Sequence, residues 1–96
     1  MSGTDSGLVR RVLARGERLM LVEVALSLGT LVAAHSHPHE QVTYVVHGTI
    51  RLVVDDVVSV LHAGESRLIA PDVEHSVVAL SDARVLDAFS PPRKDF

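Results

Sequence analysis

The chain predicts an all-β sandwich or barrel, on three observations. Short runs rich in Val, Leu, Ile and Thr recur along it, turn-forming residues separate them at roughly hairpin spacing, and no stretch sustains a helical period for long. At 96 residues it has the length of one compact domain with one core and is too short for two.

Residues 1–7, small and polar with Gly3 and Gly7, read as a loose leader, with order beginning near Leu8. The motif-bearing barrel is expected over about residues 19–90. Strands follow in "RLMLVEVALS" (18–27), "VTYVV" (42–46), "TIRLVV" (49–54) and "VVSVL" (57–61), each β-branched or Leu-rich and of strand length. Turns fall at His47-Gly48, Asp55-Asp56, Ala63 to Glu65, Ala70 to Asp72 and Ser81-Asp82. Another strand starts at His75, and "VLDAF" (85–89) reads as a terminal one.

Hydrophobic residues make up 47% of the chain, yet Tyr44, Phe89 and Phe96 are its only aromatics, so the core must be built from Val, Leu, Ile and Ala. The formal charge of −3 and the lack of a basic cluster argue against a nucleic-acid partner. The longest near-apolar run, "VALSLGTLVAA", falls short of the ~20 residues a bilayer helix needs, and the opening residues lack a signal-peptide core. A cytoplasmic protein without a membrane partner is the expectation. With no cysteine there is no disulfide framework, and any metal must be held by His, carboxylate or amide groups.

Such groups converge in "HSHPHEQ" (35–41). In extended chain, side chains two apart share a face, so His35 and His37 can point together. Gln41 has the parity of His37, and a slight irregularity at Pro38 returns its amide oxygen to that face. His75 opens a distant strand just after a turn. The four donors meet if segments 41–46 and 75–80 lie side by side or face each other, and they would hold one divalent ion, Zn, Ni, Mn or Fe. His39 reads as a loop residue or a partner of a ligand, and His47 and His62 as solvent-exposed turn neighbours. Val85, Asp87 and Phe89 share one face by period two, and a carboxylate between two apolar neighbours marks Asp87 as a site candidate. Arg93, after two prolines, is either a polar tail residue or a carboxylate-binding group.

These residues resemble the two motifs of the cupin superfamily. Gly29, His35, His37 and Gly48 keep the spacing of the first motif, with Gln41 where a carboxylate is usual. Gly64 and His75 keep that of the second, with Ala70, Asp72 and Ala79 at positions usually Pro, Gly and Asn. The resemblance implies a single small cupin jelly-roll barrel (double-stranded β-helix) across residues 1–96. A finer match, "HSHPHEQVTYVVHG" with "LDAFSPPRKDF", looks like the KdgF family of pectin and alginate breakdown. That family accepts glutamine as fourth ligand and, carried over, lines its substrate pocket with Asp87, Phe89 and Arg93.

The implied substrate is a 4,5-unsaturated monouronate, opened and ketonised to a linear 4-deoxy-5-keto-uronate by an isomerase or tautomerase. Three imidazoles and a neutral amide would leave a divalent ion its full charge, favouring polarisation of an anionic substrate. Asp87 would move protons, Arg93 would neutralise the substrate's carboxylate and Phe89 would pack on the sugar. The competing classes are a cupin dioxygenase and a non-catalytic sugar-acid-binding cupin. Apolar edge strands, and Leu8 to Leu13 available to pair with a neighbour, lead to the expectation of a homodimer.

Overall fold

Alternation at period two governs the fold. In the computed structural model, which describes residues 7–96, the strands are β1 (Leu8–Arg15), β2 (Met20–Leu26), β3 (Leu31–His35), β4 (Glu40–His47), β5 (Thr49–Val54), β6 (Val57–His62), β7 (Ser66–Ile69), β8 (His75–Ala79) and β9 (Ala83–Ser90). Apart from Gly7, the leader expected at 1–7 lies outside the described residues. There is no helix among the described residues, and so none long and apolar enough to cross a membrane.

The strands form two antiparallel sheets, one ordered β1-β2-β9-β4-β7 and the other β3-β8-β5-β6. In β2, Met20, Val22, Val24 and Leu26 are buried while the residues between them are half-buried. Their partners on β9 are Phe89, Asp87, Val85 and Ala83, whose own neighbours on β4 include Gln41 opposite Phe89, Thr43 opposite Asp87 and Val45 opposite Val85. The inward face therefore consists of cross-strand rows, and across β2, β9 and β4 only the rows of Gln41 and Thr43 carry polar side chains. On the other sheet His35 pairs with His75, while Val32, Val77 and Leu52 and then Ile50, Ala79 and Leu61 form apolar rows beyond them. One end of the barrel interior is thus polar and the rest is an aliphatic core, with each fully buried Ile, Leu, Met or Phe contributing about 1.5–3 kcal/mol.

Three features go beyond the sequence reading. β7, bracketed by the two turns, is a strand of its own pairing with β4. β1 pairs with β2 along its length, so Leu8 to Leu13, expected to face a neighbouring molecule, are held within the chain and leave only the outer edge of β1 open. His37 lies outside any strand, in the link between β3 and β4.

The turns follow their residue chemistry. Asp55 and Asp56 both adopt positive φ, 49° and 65°, as a two-residue hairpin with strand-compatible twist requires. Asp72, standing where the second motif usually has glycine, takes φ 66°, which a short polar side chain tolerates better than most.

Gly48 (φ 84°) and Gly64 (φ 89°) share a left-handed backbone but not their surroundings: a Cβ on Gly48 would lie 2.2 Å from the Asp82 carbonyl oxygen, while one on Gly64 would meet nothing within 4 Å. Gly64→Ala is expected to lose only the backbone strain of about 1–2 kcal/mol. Gly48→Ala should lose clearly more, because the β4–β5 turn must move away from backbone. Urea denaturation of the two variants beside the unmutated protein measures the difference.

Candidate metal centre

The three histidines of the sequence reading come together at the polar end of the barrel. His35 ends β3, His37 sits in the following link and His75 begins β8; one ring nitrogen from each lies within 4.8 Å of the others. Their ring centroids are 4.3 Å (His35–His75), 4.9 Å (His37–His75) and 5.7 Å (His35–His37) apart. β4 and β8 belong to different sheets, so segments 41–46 and 75–80 face each other across the interior.

A bulge aims His35. Between the pairs Val32–Val77 and His35–His75, β3 advances three residues while β8 advances two. The extra residue reverses the parity of β3, so Val32 and His35, three apart, both line the interior cavity. His37 is fixed by a second device: the Asp72 N–H donates to its carbonyl at 2.8 Å, tying the link to the turn before His75.

Each imidazole is oriented through Nδ1. This nitrogen faces the carbonyl of Ala33 in His35 (2.9 Å), of His39 in His37 (3.1 Å) and of Val73 in His75 (2.9 Å). A carbonyl can only accept, so Nδ1 carries the proton and, in the neutral ring, Nε2 carries the lone pair. Burial pushes the pKa of His37 and of His75 below the ordinary histidine value, outweighing the Gln41 and Val73 hydrogen bonds respectively that oppose it. Both rings are therefore neutral near pH 7.

The fourth donor is set by a polar network. The Gln41 amide nitrogen donates to Thr43 Oγ1 at 3.0 Å and to Asp87 Oδ1 at 3.2 Å, and the Thr43 hydroxyl donates to the same carboxylate oxygen at 2.6 Å. The amide oxygen must then turn the other way, where it lies 2.9 Å from His37 Nε2. With Nε2 unprotonated, two lone pairs face each other there, and the buried Nε2 of His75 has no hydrogen-bond partner. A cation among these atoms relieves both defects. Three imidazole nitrogens and one amide oxygen fit a divalent transition metal or zinc.

The comparisons agree with this geometry. The cupin domain family matches residues 22–89. The pectin degradation protein KdgF of Dickeya dadantii is 33% identical over 92 residues, which are 94% of this chain and 84% of that protein. The chain is a cupin and belongs to the KdgF family.

Solved structures similar to this cupin include KdgF from Halomonas sp., at 32% identity and TM-score 0.92, covering 95% of this chain and 84% of that one. An RmlC-like cupin from Shewanella frigidimarina is 39% identical at TM-score 0.93, covering 96% and 83%.

The remaining sites expected for this cupin divide. Asp87 faces the cavity and burial pushes its carboxyl above the ordinary carboxylate value, against the hydrogen bonds from Thr43 and Gln41 and the charges of Arg10 and Arg93. Phe89 lines the cavity but is only 2% exposed, its ring edge-on to His37 and to Phe96, so it forms a wall behind the histidines. Arg93 reaches the cavity too, yet its Nε and Nη2 donate to the two oxygens of Asp95 at 3.1 and 2.8 Å while its guanidinium stacks 4.4 Å from the Phe96 ring centroid. His39 stands beside His37 and Phe89, and His47 and His62 are exposed.

Sequence reasoning missed Thr43, Asp95 and Arg10. Thr43 shares the parity of Gln41 two residues on, which was a usable signal; nothing in the sequence marked the other two.

The double variant His35→Ala/His37→Ala is expected to lose stoichiometric metal, whereas the unmutated protein binds one divalent ion per chain after reconstitution with Zn, Ni, Mn or Fe. Elemental analysis of tag-free protein decides it, and equal metal content in the two would eliminate the site.

Proposed function

We propose that this cupin converts 4,5-unsaturated monouronates, the end products of polyuronate lyases, into linear 4-deoxy-5-keto-uronates, as a step in pectin or alginate breakdown. The observation that carries the reading is the contact between Asp87 and Gln41. A carboxyl with a raised pKa stands one hydrogen bond from the amide that completes the metal-binding set, in a chain 33% identical to a pectin degradation protein.

In this reading His35, His37 and His75 through Nε2, and Gln41 through Oε1, hold one divalent ion. When bound, the ion supplies a Lewis acid of undiminished double charge, because all four donors are neutral. The substrate then meets two compartments. The inner cavity, about 60 Å³, is lined by His35, Gln41, His75 and Asp87, and has room for a carboxylate-sized group. A groove of about 560 Å³ between Arg15, His39 and the segment from Pro91 to Asp95 has room for a sugar ring. Arg93 lines both.

The chemistry is an isomerisation that conserves every atom. The anomeric hydroxyl gives up its proton as C1 becomes an aldehyde and the C1–ring oxygen bond breaks, the bonding pair staying on that oxygen as a C5 enolate. Return of the proton to C4 then gives the C5 ketone. In this reading Asp87 accepts the first proton and returns it to C4, and burial, by raising its carboxyl above the ordinary carboxylate value, makes it the stronger base. Thr43 holds the oxygen Oδ1 of that carboxyl in place. Arg93 exchanges Asp95 for the substrate carboxylate, as a planar fork can. Phe89 walls off water.

Loss of absorbance from the C4=C5 bond, on incubation with lyase-generated unsaturated monouronate, tests the reading. Asp87→Asn should lose turnover on the order of 10²-fold or more with metal still bound, since an amide keeps the shape but cannot take the proton. Gln41→Glu should keep the metal and lower turnover, because the new charge weakens the Lewis acid and places a second carboxylate beside Asp87. Oxygen consumption with ferrous iron would favour a dioxygenase instead, and uronate binding without turnover a sugar-acid-binding protein.

A further inference from the structure

β1 is the exposed edge of its sheet, and most of its side chains face solvent. Arg10 is exposed as well, but it has a second environment. It pairs with Val24, whose side chain points into the barrel, and it lines the same cavity as His35, Gln41, His75 and Asp87. Its guanidinium lies over the Phe96 ring, 4.4 Å from the centroid, the same distance at which Arg93 stacks on that ring.

The two arginines differ in what their N–H groups do. Arg93 is engaged bidentately by Asp95, and that carboxylate cancels its charge. Arg11 and Arg84 lie within ion-pair distance of Glu23, and Arg15 donates to the Arg93 and Phe96 carbonyls. Arg10 has no hydrogen bond or ion pair among the described residues, only the aromatic ring beneath it. A guanidinium lying over a ring beside a cavity, with no protein acceptor on its N–H groups, is a ready receptor for a planar anion.

We propose that Arg10 is a second substrate-binding residue of this site, gripping the uronate's carboxylate and selecting acidic over neutral sugars. The inference rests on the uronate reading given above. An incoming carboxylate meets Asp87 in the cavity, and Arg93 must leave Asp95 before it can receive the acid, so Arg10 is the cation free to attract it on entry. Its charge also reaches Asp87, where it opposes the rise in pKa that burial causes. Substrate positioned by Arg10 lies against the carboxyl that moves its protons.

The test compares the metal-loaded unmutated protein with Arg10→Gln and Arg10→Lys in two assays: steady-state turnover of unsaturated monouronate, and calorimetric binding of D-galacturonate and of D-galactose. Arg10→Gln should raise KM by on the order of tenfold or more with a much smaller change in kcat, weaken galacturonate binding by a similar factor and leave galactose binding as it was. Arg10→Lys should recover part of the loss, which a structural defect in β1 would not permit. Unchanged KM and galacturonate affinity in Arg10→Gln would overturn the role of Arg10 while leaving the proposed reaction standing. Absence of turnover in the unmutated protein would overturn the reaction, and the sugars alone would then judge Arg10. A preference for galacturonate over galactose that disappears in Arg10→Gln supports it, and equal or no binding of the two sugars by the unmutated protein overturns it.

Discussion

The amide nitrogen of Gln41 donates to Thr43 and to Asp87, and the chemistry of the barrel follows from that pair of hydrogen bonds. Cross-strand register places them: Thr43 stands opposite Asp87 and Gln41 opposite Phe89 on adjacent strands, so the three polar groups meet without any loop being involved. Because the nitrogen is committed to acceptors, the oxygen is committed to His37. A glutamate at this position would bring a second carboxylate against Asp87, and like charges so close would push at least one of them to take up a proton. Glutamine supplies a metal-facing oxygen and a carboxylate-facing donor in one neutral side chain, and an ionised carboxylate has no donor to offer. In the proposed reaction, the neutrality of the donor set and the service of Asp87 as a proton carrier are thus one constraint.

Much of this was legible in the sequence. The period-two runs gave the strands, and the offsets among His35, His37, Gln41 and His75 marked the residues that meet inside the barrel. The parity argument for Val85, Asp87 and Phe89 holds, since all three line the cavity. The reason His35 points inward was hidden, however. Counting by twos from Val32 would turn His35 outward, and only the extra residue in β3 brings it back. Bulges depend on what the partner strand does, and Val32 to His35 alone carries no sign of it. Likewise "LVRRVLAR" is as compatible with pairing another molecule as with pairing β2, because alternation fixes a face and not a neighbour. Arg10 was lost for that reason: its importance comes from β2 standing beside it and Phe96 stacking on it.

The two chain ends converge on the site. Arg15, from the end of β1, donates to the carbonyls of Arg93 and Phe96, so the strand that carries Arg10 also holds the segment that carries Arg93. Phe89 meets Phe96 edge-on and the guanidinium of Arg93 lies over both rings, linking the wall behind the histidines to the segment that carries Arg93. This is an unusual use of aromatics in a chain that has three. Two of them lie at the site rather than in the aliphatic rows, where Val, Leu and Ile already fill the space.

That distribution explains how so small a barrel sustains a polar interior. A buried imidazole or amide without full hydrogen bonding costs on the order of 1–3 kcal/mol, and His37, Gln41, Thr43 and His75 are all buried. Thr43 and the Gln41 amide nitrogen are satisfied within the network, so their cost is largely met in the protein alone. The lone pairs of His37 Nε2 and Gln41 Oε1, and the unpartnered Nε2 of His75, are not. The polar rows are therefore divided between a part complete in itself, which orients Asp87, and a part completed only by a cation. A cation would act on the second part alone, so the first holds the Asp87 carboxyl in place through protein hydrogen bonds by themselves.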